Sequence, residues 1–323
     1  MIYTVTLNPA LDKTVEIPGF ALDRVNRITD MRTDPGGKGI NVSKVISKLG
    51  GKTIATGILG GAAGKAILKA LEEMGLESDF YFAEGETRTN LKVVDRENHT
   101  NTDINEPGLT VSPRILEELL GRLLEKLEGN DLVVLSGSLP KGAPKDTYGA
   151  WVKACKRKGA KVILDADGEL FAEGIKASPY LVKPNNHELS RHVGRELETR
   201  QDLEQAARTL MEEYGIKKVV VTMGSEGALY VTETETIYAE GLKVKVGSTV
   251  GAGDSVVAAL AFAEESGMTM EEAVRLSTAA GAANVMCSGT QAAEYEVIEE
   301  LMPKVVFEKF EKISVAKTDD IRL

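Results

Sequence analysis

Five short apolar runs, each ending in small or chemically special residues, constrain this chain more than any other feature. Ile2-Tyr3-Thr4-Val5-Thr6-Leu7 ends at Asn8-Pro9, and Leu132-Val133-Val134-Leu135 ends at Ser136-Gly137-Ser138-Leu139-Pro140. Val162-Ile163-Leu164 ends at Asp165-Ala166-Asp167, Tyr180-Leu181-Val182 at Lys183-Pro184-Asn185, and Val219-Val220-Val221 at Thr222-Met223-Gly224. Continuous β-branched runs of this length suit strands buried on both faces. Between them lie amphipathic helices. Leu116, Leu119, Leu120, Leu123, Leu124 and Leu127 recur at helical spacing behind Ser112-Pro113, an N-cap with proline at N1, and similar patterns span 201–214 and 254–265. The alternation predicts an α/β fold with a doubly wound, mainly parallel sheet, whose ligands gather at the carboxyl ends of the strands.

Two segments break this rhythm, 14–34 and 87–105, which read as extended, hairpin-like pieces with no helix between them. In the second, Arg88, Asn90 and Lys92 share one face by period two, and a turn near Glu97-Asn98 returns the chain so that Asn101, Asp103 and Asn105 also share one. They are expected to form a small accessory sheet over the ligand end, although an ordinary two-faced edge hairpin explains the same pattern. The expected organisation is a catalytic α/β domain over 1–12, 36–86 and 107–313, a discontinuous β lid over 13–35 and 87–106, and a polar tail over 314–323.

Charge and composition narrow the function. With 39 basic and 49 acidic residues, a formal charge of −10 argues against a long-range field that gathers nucleic acid or anionic membrane. An anionic ligand must therefore be caught locally. Cys155 and Cys287 form no CxxC pair, and His99, His187 and His192 have no HExxH spacing, so zinc and disulfide scaffolds drop out. No apolar stretch reaches the roughly 20 residues of a membrane span, and Met1 leads straight into an apolar run; the expected location is cytoplasmic. Glycine is in excess, at 32 of 323 residues, against an average near 7%.

Two glycine-rich stretches use part of that excess. Asp34-Pro35-Gly36-Gly37-Lys38-Gly39-Ile40-Asn41 opens a helix and exposes backbone N–H groups where the helix dipole is positive, which suits a phosphate or a polyol. It is not a Walker A loop, since Gly39 follows Lys38 where Ser or Thr is needed; a tight strand-to-helix turn is the plainer explanation. Ser248-Thr249-Val250-Gly251-Ala252-Gly253-Asp254-Ser255 also opens a helix, and Val256 excludes the dinucleotide fingerprint. A carboxylate in that first turn, Asp254, can take a proton from a hydroxyl nucleophile as phosphoryl transfer requires, or can merely satisfy a helix N-terminus.

Together, Gly36-Gly37-Lys38-Gly39-Ile40-Asn41 and Gly251-Ala252-Gly253-Asp254 resemble the signatures of the ribokinase-like sugar kinases of the phosphofructokinase-B family, over about residues 1–310. The resemblance implies ATP and Mg2+ as co-substrate and metal, Asp254 as catalytic base, and the amides of Gly251, Ala252 and Gly253 as an anion hole. Asn185 and Glu188 match the family's K-P-N-x-x-E element, which organises magnesium through water. Lys183, Asn185, Thr222, Gly224, Gly227 and Asn284 are implied on the nucleotide side. For the sugar side it implies Asp12, Gly36, Gly37, Asn41 and Asp103. Lys38, Arg88, Asn90 and Lys92 form a cationic cluster fitting a sugar that already bears phosphate, with Ser138 and Arg27 as further phosphate contacts, Arg27 across a homodimer formed through the lid. The expected reaction phosphorylates a ketohexose phosphate, fructose 1-phosphate to fructose 1,6-bisphosphate. Tagatose 6-phosphate and fructose 6-phosphate are the alternative acceptors, and a non-catalytic sugar-phosphate sensor is the remote one. Ser248-Thr249-Val250 departs from the commoner D-T-x before the glycines, so no monovalent-cation site is carried over.

Overall fold

The computed structural model describes residues 1–287 and 289–311; the 314–323 tail lies outside them. The chain opens with β1 (Ile2–Thr6), β2 (Ala10–Glu16) and β3 (Asp30–Gly36), and enters α1 (Lys38–Lys48). Then come β4 (Thr53–Gly60), α2 (Gly61–Glu73), β5 (Glu77–Ala83), β6 (Arg88–Asp95), β7 (Thr100–Asn105) and α3 (Pro113–Lys126). In the middle, strands and helices alternate except for two successive helices before β11: β8 (Leu132–Ser136), α4 (Thr147–Arg157), β9 (Lys161–Asp165), α5 (Gly168–Ile175), β10 (Leu181–Val182), α6 (Asn186–Val193), α7 (Arg200–Tyr214) and β11 (Lys218–Thr222). The last third holds β12 (Gly227–Thr232), β13 (Glu235–Glu240), α8 (Ala252–Glu265), α9 (Met270–Met286), α10 (Tyr295–Leu301) and β14 (Phe307–Glu311).

Ten strands form the larger sheet in the order β14-β13-β12-β11-β10-β9-β8-β1-β4-β5. From β5 to β11 neighbouring strands run parallel, while β12, β13 and β14 add an antiparallel edge. The apolar runs behave as their composition demands, because alternate residues of one strand enter opposite layers. Val133 and Leu135 of β8 pack with Leu116, Leu119 and Trp151 on one side. Leu132 and Val134 pack with Val42, Ile46, Val257 and Leu260 on the other. Each face is thus closed by helices, which is what a parallel sheet requires.

The sheet grows to one side of β1 through β4 and β5 and to the other through β8. That reversal makes the carboxyl ends of β1 and β8 the place where a crevice opens. The smaller sheet, ordered β3-β2-β6-β7, supplies the other wall. It comes from the two segments that broke the helical rhythm, and the turn expected near residues 97–98 joins β6 to β7. A parallel β2–β6 pairing joins the two segments, setting Ala10 opposite Arg88 and Asp12 opposite Asn90. Val15, Ile17 and Val93, with Phe20 and Leu91, make a small apolar layer of their own.

Candidate active site

A cavity of about 370 Å³ lies in this crevice, within the range of small-ligand sites. Its floor comes from the ends of β1 and β8 (Thr6, Asn8, Ser136, Gly137, Ser138) and from the starts of α1 and α8 (Gly37, Lys38, Asn41, Gly251, Asp254); Asp12, Arg88 and Asn90 of the small sheet face it. Two strand-to-helix turns separated by two hundred residues therefore converge, as expected of the glycine-rich stretches.

Close approach explains the first turn. A side chain at Gly36 would collide with the Asp12 carboxylate, so Asp12 lies against the backbone that enters α1. The second turn needs a left-handed residue: Gly251 has φ 84° at the N-cap of α8, where a side chain would be strained. The helix it starts carries Asp254 in its first turn.

Asp254 is 7% exposed. Asn41 Nδ2 donates to its Oδ2 at 2.9 Å. Burial raises its pKa, repulsion from Asp165 raises it further, and Lys38, Asn41 and Lys183 offset only part of that. Asp165 itself is the buried hub of this end of the sheet. Lys38 Nζ reaches its Oδ2 at 3.1 Å and Lys183 Nζ its Oδ1 at 3.3 Å. Burial alone would raise the Asp165 pKa, but attraction to the two lysines outweighs it and the net shift is downward. Attraction to Asp165 is also what raises the Lys38 pKa. Two cations and two carboxylates balance, with one carboxylate fully paired and the other, Asp254, held by an amide.

The small-sheet wall is different chemistry. Asn90 Nδ2 donates to Asp12 Oδ1 at 3.0 Å, a consequence of the β2–β6 register. Burial raises the Asp12 pKa against that hydrogen bond. Arg88 Nη2 donates to the Asn8 carbonyl at 3.0 Å, and burial lowers its pKa. Several buried polar atoms have no hydrogen-bond partner: Asn41 Oδ1, Arg88 Nε, Asn90 Oδ1, Ser136 Oγ and Thr290 Oγ1, all on residues that line the cavity. Unpaired buried polar atoms are costly, and their concentration here suits a ligand that brings hydrogen-bonding groups of its own.

Lys183, Asn185, Thr222, Gly224 and Gly227 lie outside that cavity, along the carboxyl ends of β10 and β11, where an isolated bridge pairs Asn185 with Thr222. Lys183 connects the two regions through Asp165, and its ammonium approaches the backbone of Gly253. Asn284 of α9 lies beside Gly251, with its Oδ1 unpaired. Asn185 and Glu188 form a capping box at the start of α6: Asn185 Oδ1 accepts from the Glu188 amide at 2.8 Å and Glu188 Oε2 from the Asn185 amide at 2.9 Å. Among the described residues no three His, Cys, Asp or Glu side chains cluster to hold a metal. This sparse oxygen set would suit a magnesium ion held chiefly by phosphates and water, with Asn185 and Glu188 as its protein-side oxygens, and does not fit a dedicated protein cage.

Lys92, Asp103 and Arg27 are not brought to the cavity; Asp103 and Arg27 are exposed. Sequence reasoning in turn missed Asp165. The signal that singles it out is a carboxylate at the end of a buried apolar strand, which must find cations.

The model of the pfkB family carbohydrate kinases matches residues 5–296. This chain belongs to the pfkB family of carbohydrate kinases. As a member of that family it is a phosphotransferase. A 1-phosphofructokinase of Bacillus subtilis (strain 168) is 36% identical over 307 residues, covering 94% of this pfkB-family chain and 98% of the relative. A 1-phosphofructokinase of Rhodobacter capsulatus is 39% identical over 279 residues, covering 86% and 88%. The crystal structure of phosphofructokinase-2 from Escherichia coli in complex with potassium superposes with a TM-score of 0.90 at 33% identity, covering 94% of this chain and 98% of that one.

Proposed function

We propose that this kinase transfers the terminal phosphoryl group of ATP to the C6 hydroxyl of fructose 1-phosphate, giving fructose 1,6-bisphosphate and ADP. The observation that carries the reading is the buried Asp254 carboxylate at a helix start, with a raised pKa and one oxygen engaged by Asn41, facing a cavity with polar, cationic walls. The 1-phosphofructokinase relatives support the choice of acceptor.

In this reading Asp12, Asn90 and Asn41 hold the sugar hydroxyls, and Arg88 with Lys38 holds the phosphate already present. Asp254 accepts the C6 hydroxyl proton at Oδ1, and the amides of Gly251, Ala252 and Gly253 take up the charge of the group in transfer. Each lysine uses one of its three ammonium donors on Asp165, which leaves the others for phosphate. Magnesium, when bound near Glu188, neutralises nucleotide phosphate charge. The small sheet acts as a lid that excludes water from the cavity.

Leu22 and Val25 are 86% and 84% exposed, and Ile28, Met31 and Ile104 are each 52% exposed, all in or beside the small sheet. Such a patch suits a homodimer through the lid, which would bring Arg27 towards a partner's site. Both cysteines are free, which suits a reducing cytoplasm. A monomer at micromolar concentration would remove the dimer and the role of Arg27.

The acceptor is tested by comparing kcat/KM for fructose 1-phosphate, tagatose 6-phosphate and fructose 6-phosphate, each with Mg-ATP. A preference of at least about tenfold for fructose 1-phosphate, or about 1.4 kcal/mol at the transition state, is expected. Preference for either competitor would overturn the assignment, and binding without turnover would indicate a sensor.

A further inference from the structure

Helix α1 buries a lysine that the mechanism above does not use. Lys44 is 7% exposed. Its ammonium donates to the Pro35 carbonyl at 3.0 Å and to the Thr290 carbonyl at 2.9 Å. These acceptors belong to different halves of the molecule. Pro35 is in β3, paired with Leu11 in the small sheet. Thr290 lies in the turn between α9 and α10, and lines the cavity.

The turn is gripped at further points. Gly289 backs onto Arg32 of β3 so closely that a methyl group there would strike the guanidinium. Asn284 Nδ2 donates to the Gln291 carbonyl at 2.9 Å, and Asn284 also adjoins Gly251. One ammonium thus ties a small-sheet strand to a turn that is itself fastened beside the start of α8.

Burying a charge here carries a cost. Asp34 of β3, Asp12 of β2 and Asp254 of α8 face Lys44 and favour its charge, while Arg32 of β3 opposes it. On α1 itself, Lys48 pairs with Glu294 and Lys38 with Asp165. Burial prevails, and the Lys44 pKa falls to about 8. A structural tie alone needs no charge. Within electrostatic reach of Asp12 and Asp254, the ammonium also offsets carboxylate charge at the acceptor side of the proposed site.

We propose that Lys44 is a positioning residue for the sugar phosphate, fixing the small sheet against the 289–291 turn and so setting Asp12 and Asn90 at the working distance from Asp254. The inference rests on the kinase reading of the site. Loss of the tie weakens acceptor binding and leaves ATP binding unchanged. A second cavity of about 580 Å³ is lined by Lys44 together with Asp34, Lys48 and Gln291, and truncation of Lys44 would extend it towards the two carbonyls.

Lys44→Met and Lys44→Ala, with melting temperature as the check on folding, test this. Lys44→Met should raise KM for fructose 1-phosphate by at least about tenfold, with KM for ATP unchanged. Propylamine added to Lys44→Ala should restore part of the affinity, which keeps the test open if the methionine variant does not fold. Wild-type KM should rise as the pH passes about 8, where Lys44 loses its charge, and Lys44→Met should show no such rise. A folded Lys44→Met with unchanged KM, or a Lys44→Ala whose KM the amine does not lower, would overturn the proposal. Failure of the wild type to turn over any phosphosugar would instead strike the kinase reading itself.

Discussion

Strand β9 and helix α8 run side by side in opposite directions, and both of their shared ends hold a carboxylate between two lysines. At one end Asp165, the last residue of β9, binds Lys38 and Lys183 beside Asp254 at the start of α8. At the other, Glu264 near the end of α8 binds Lys161, the first residue of β9, at 2.5 Å and Lys218 at 2.6 Å, with Tyr180 at 2.8 Å. The Glu264 cluster is complete: burial pushes its pKa up, but three hydrogen bonds, two of them from lysines, together with the charge of Lys218 pull it down to about 2. The Asp165 cluster has one more carboxylate than it can fully pair, and that surplus group, Asp254, is held ionisable and available. The same elements thus yield a structural clamp at one end and, in the proposed function, the catalytic base at the other. The difference lies in one unsatisfied carboxylate and the cavity beside it.

Substitutions at the two ends should separate cleanly. Asp254→Asn keeps shape and removes the base, so kcat should fall by at least about 10²- to 10⁴-fold with a melting temperature close to wild type. Near-normal turnover of that variant would merge the two ends into one structural class. Arg88→Ala, on the cavity wall, should raise KM for the phosphosugar by about 10- to 100-fold with a smaller change in kcat, as removal of a charged hydrogen bond predicts. An unchanged KM would take Arg88 out of the phosphate site.

Glu264→Gln should have the smallest effect on rate, none beyond about twofold, while costing about 1.5–3 kcal/mol of stability. Because its folded pKa lies below the ordinary value of 4.5, the stability it contributes is present above about pH 4.5 and lost as the pH falls towards 2. Denaturant titrations at pH 7 and pH 3 should therefore differ less for Glu264→Gln than for the wild type.

The sequence made the reactive end visible and left the clamp and the tie invisible. Asp254 stands out because glycines and a helix start surround it in the chain itself. Asp165 does not, since Lys38 lies 127 residues away and only the assembled sheet brings them together. Lys44 reads as one lysine among many, although Ile40, Val42, Val45 and Ile46 around it show that α1 is apolar on most sides and leaves a lysine little room outside. The parallel core followed from the buried runs, whereas the β2–β6 pairing and the antiparallel edge β12–β14 depend on register between distant segments, which periodicity does not encode. Period two puts Lys92 on the face of Arg88 and Asn90. The alternation is real, but the cavity ends before Lys92 is reached.

Asp254 is proposed to work as a base whose pKa the Asp165 cluster sets, and the pH dependence of kcat for wild type and Asp165→Asn is the direct test. A base must be deprotonated, so a raised pKa places the acid limb above the ordinary carboxylate range, near 3.8 for Asp. Removing Asp165 removes its repulsion and frees two lysine charges beside Asp254, both of which lower that pKa. The substrate phosphate titrates alike with both proteins, so any difference belongs to the enzyme. The limb is predicted to move to lower pH in Asp165→Asn; a limb that stays in place, or moves to higher pH, would rule out control of the base by Asp165.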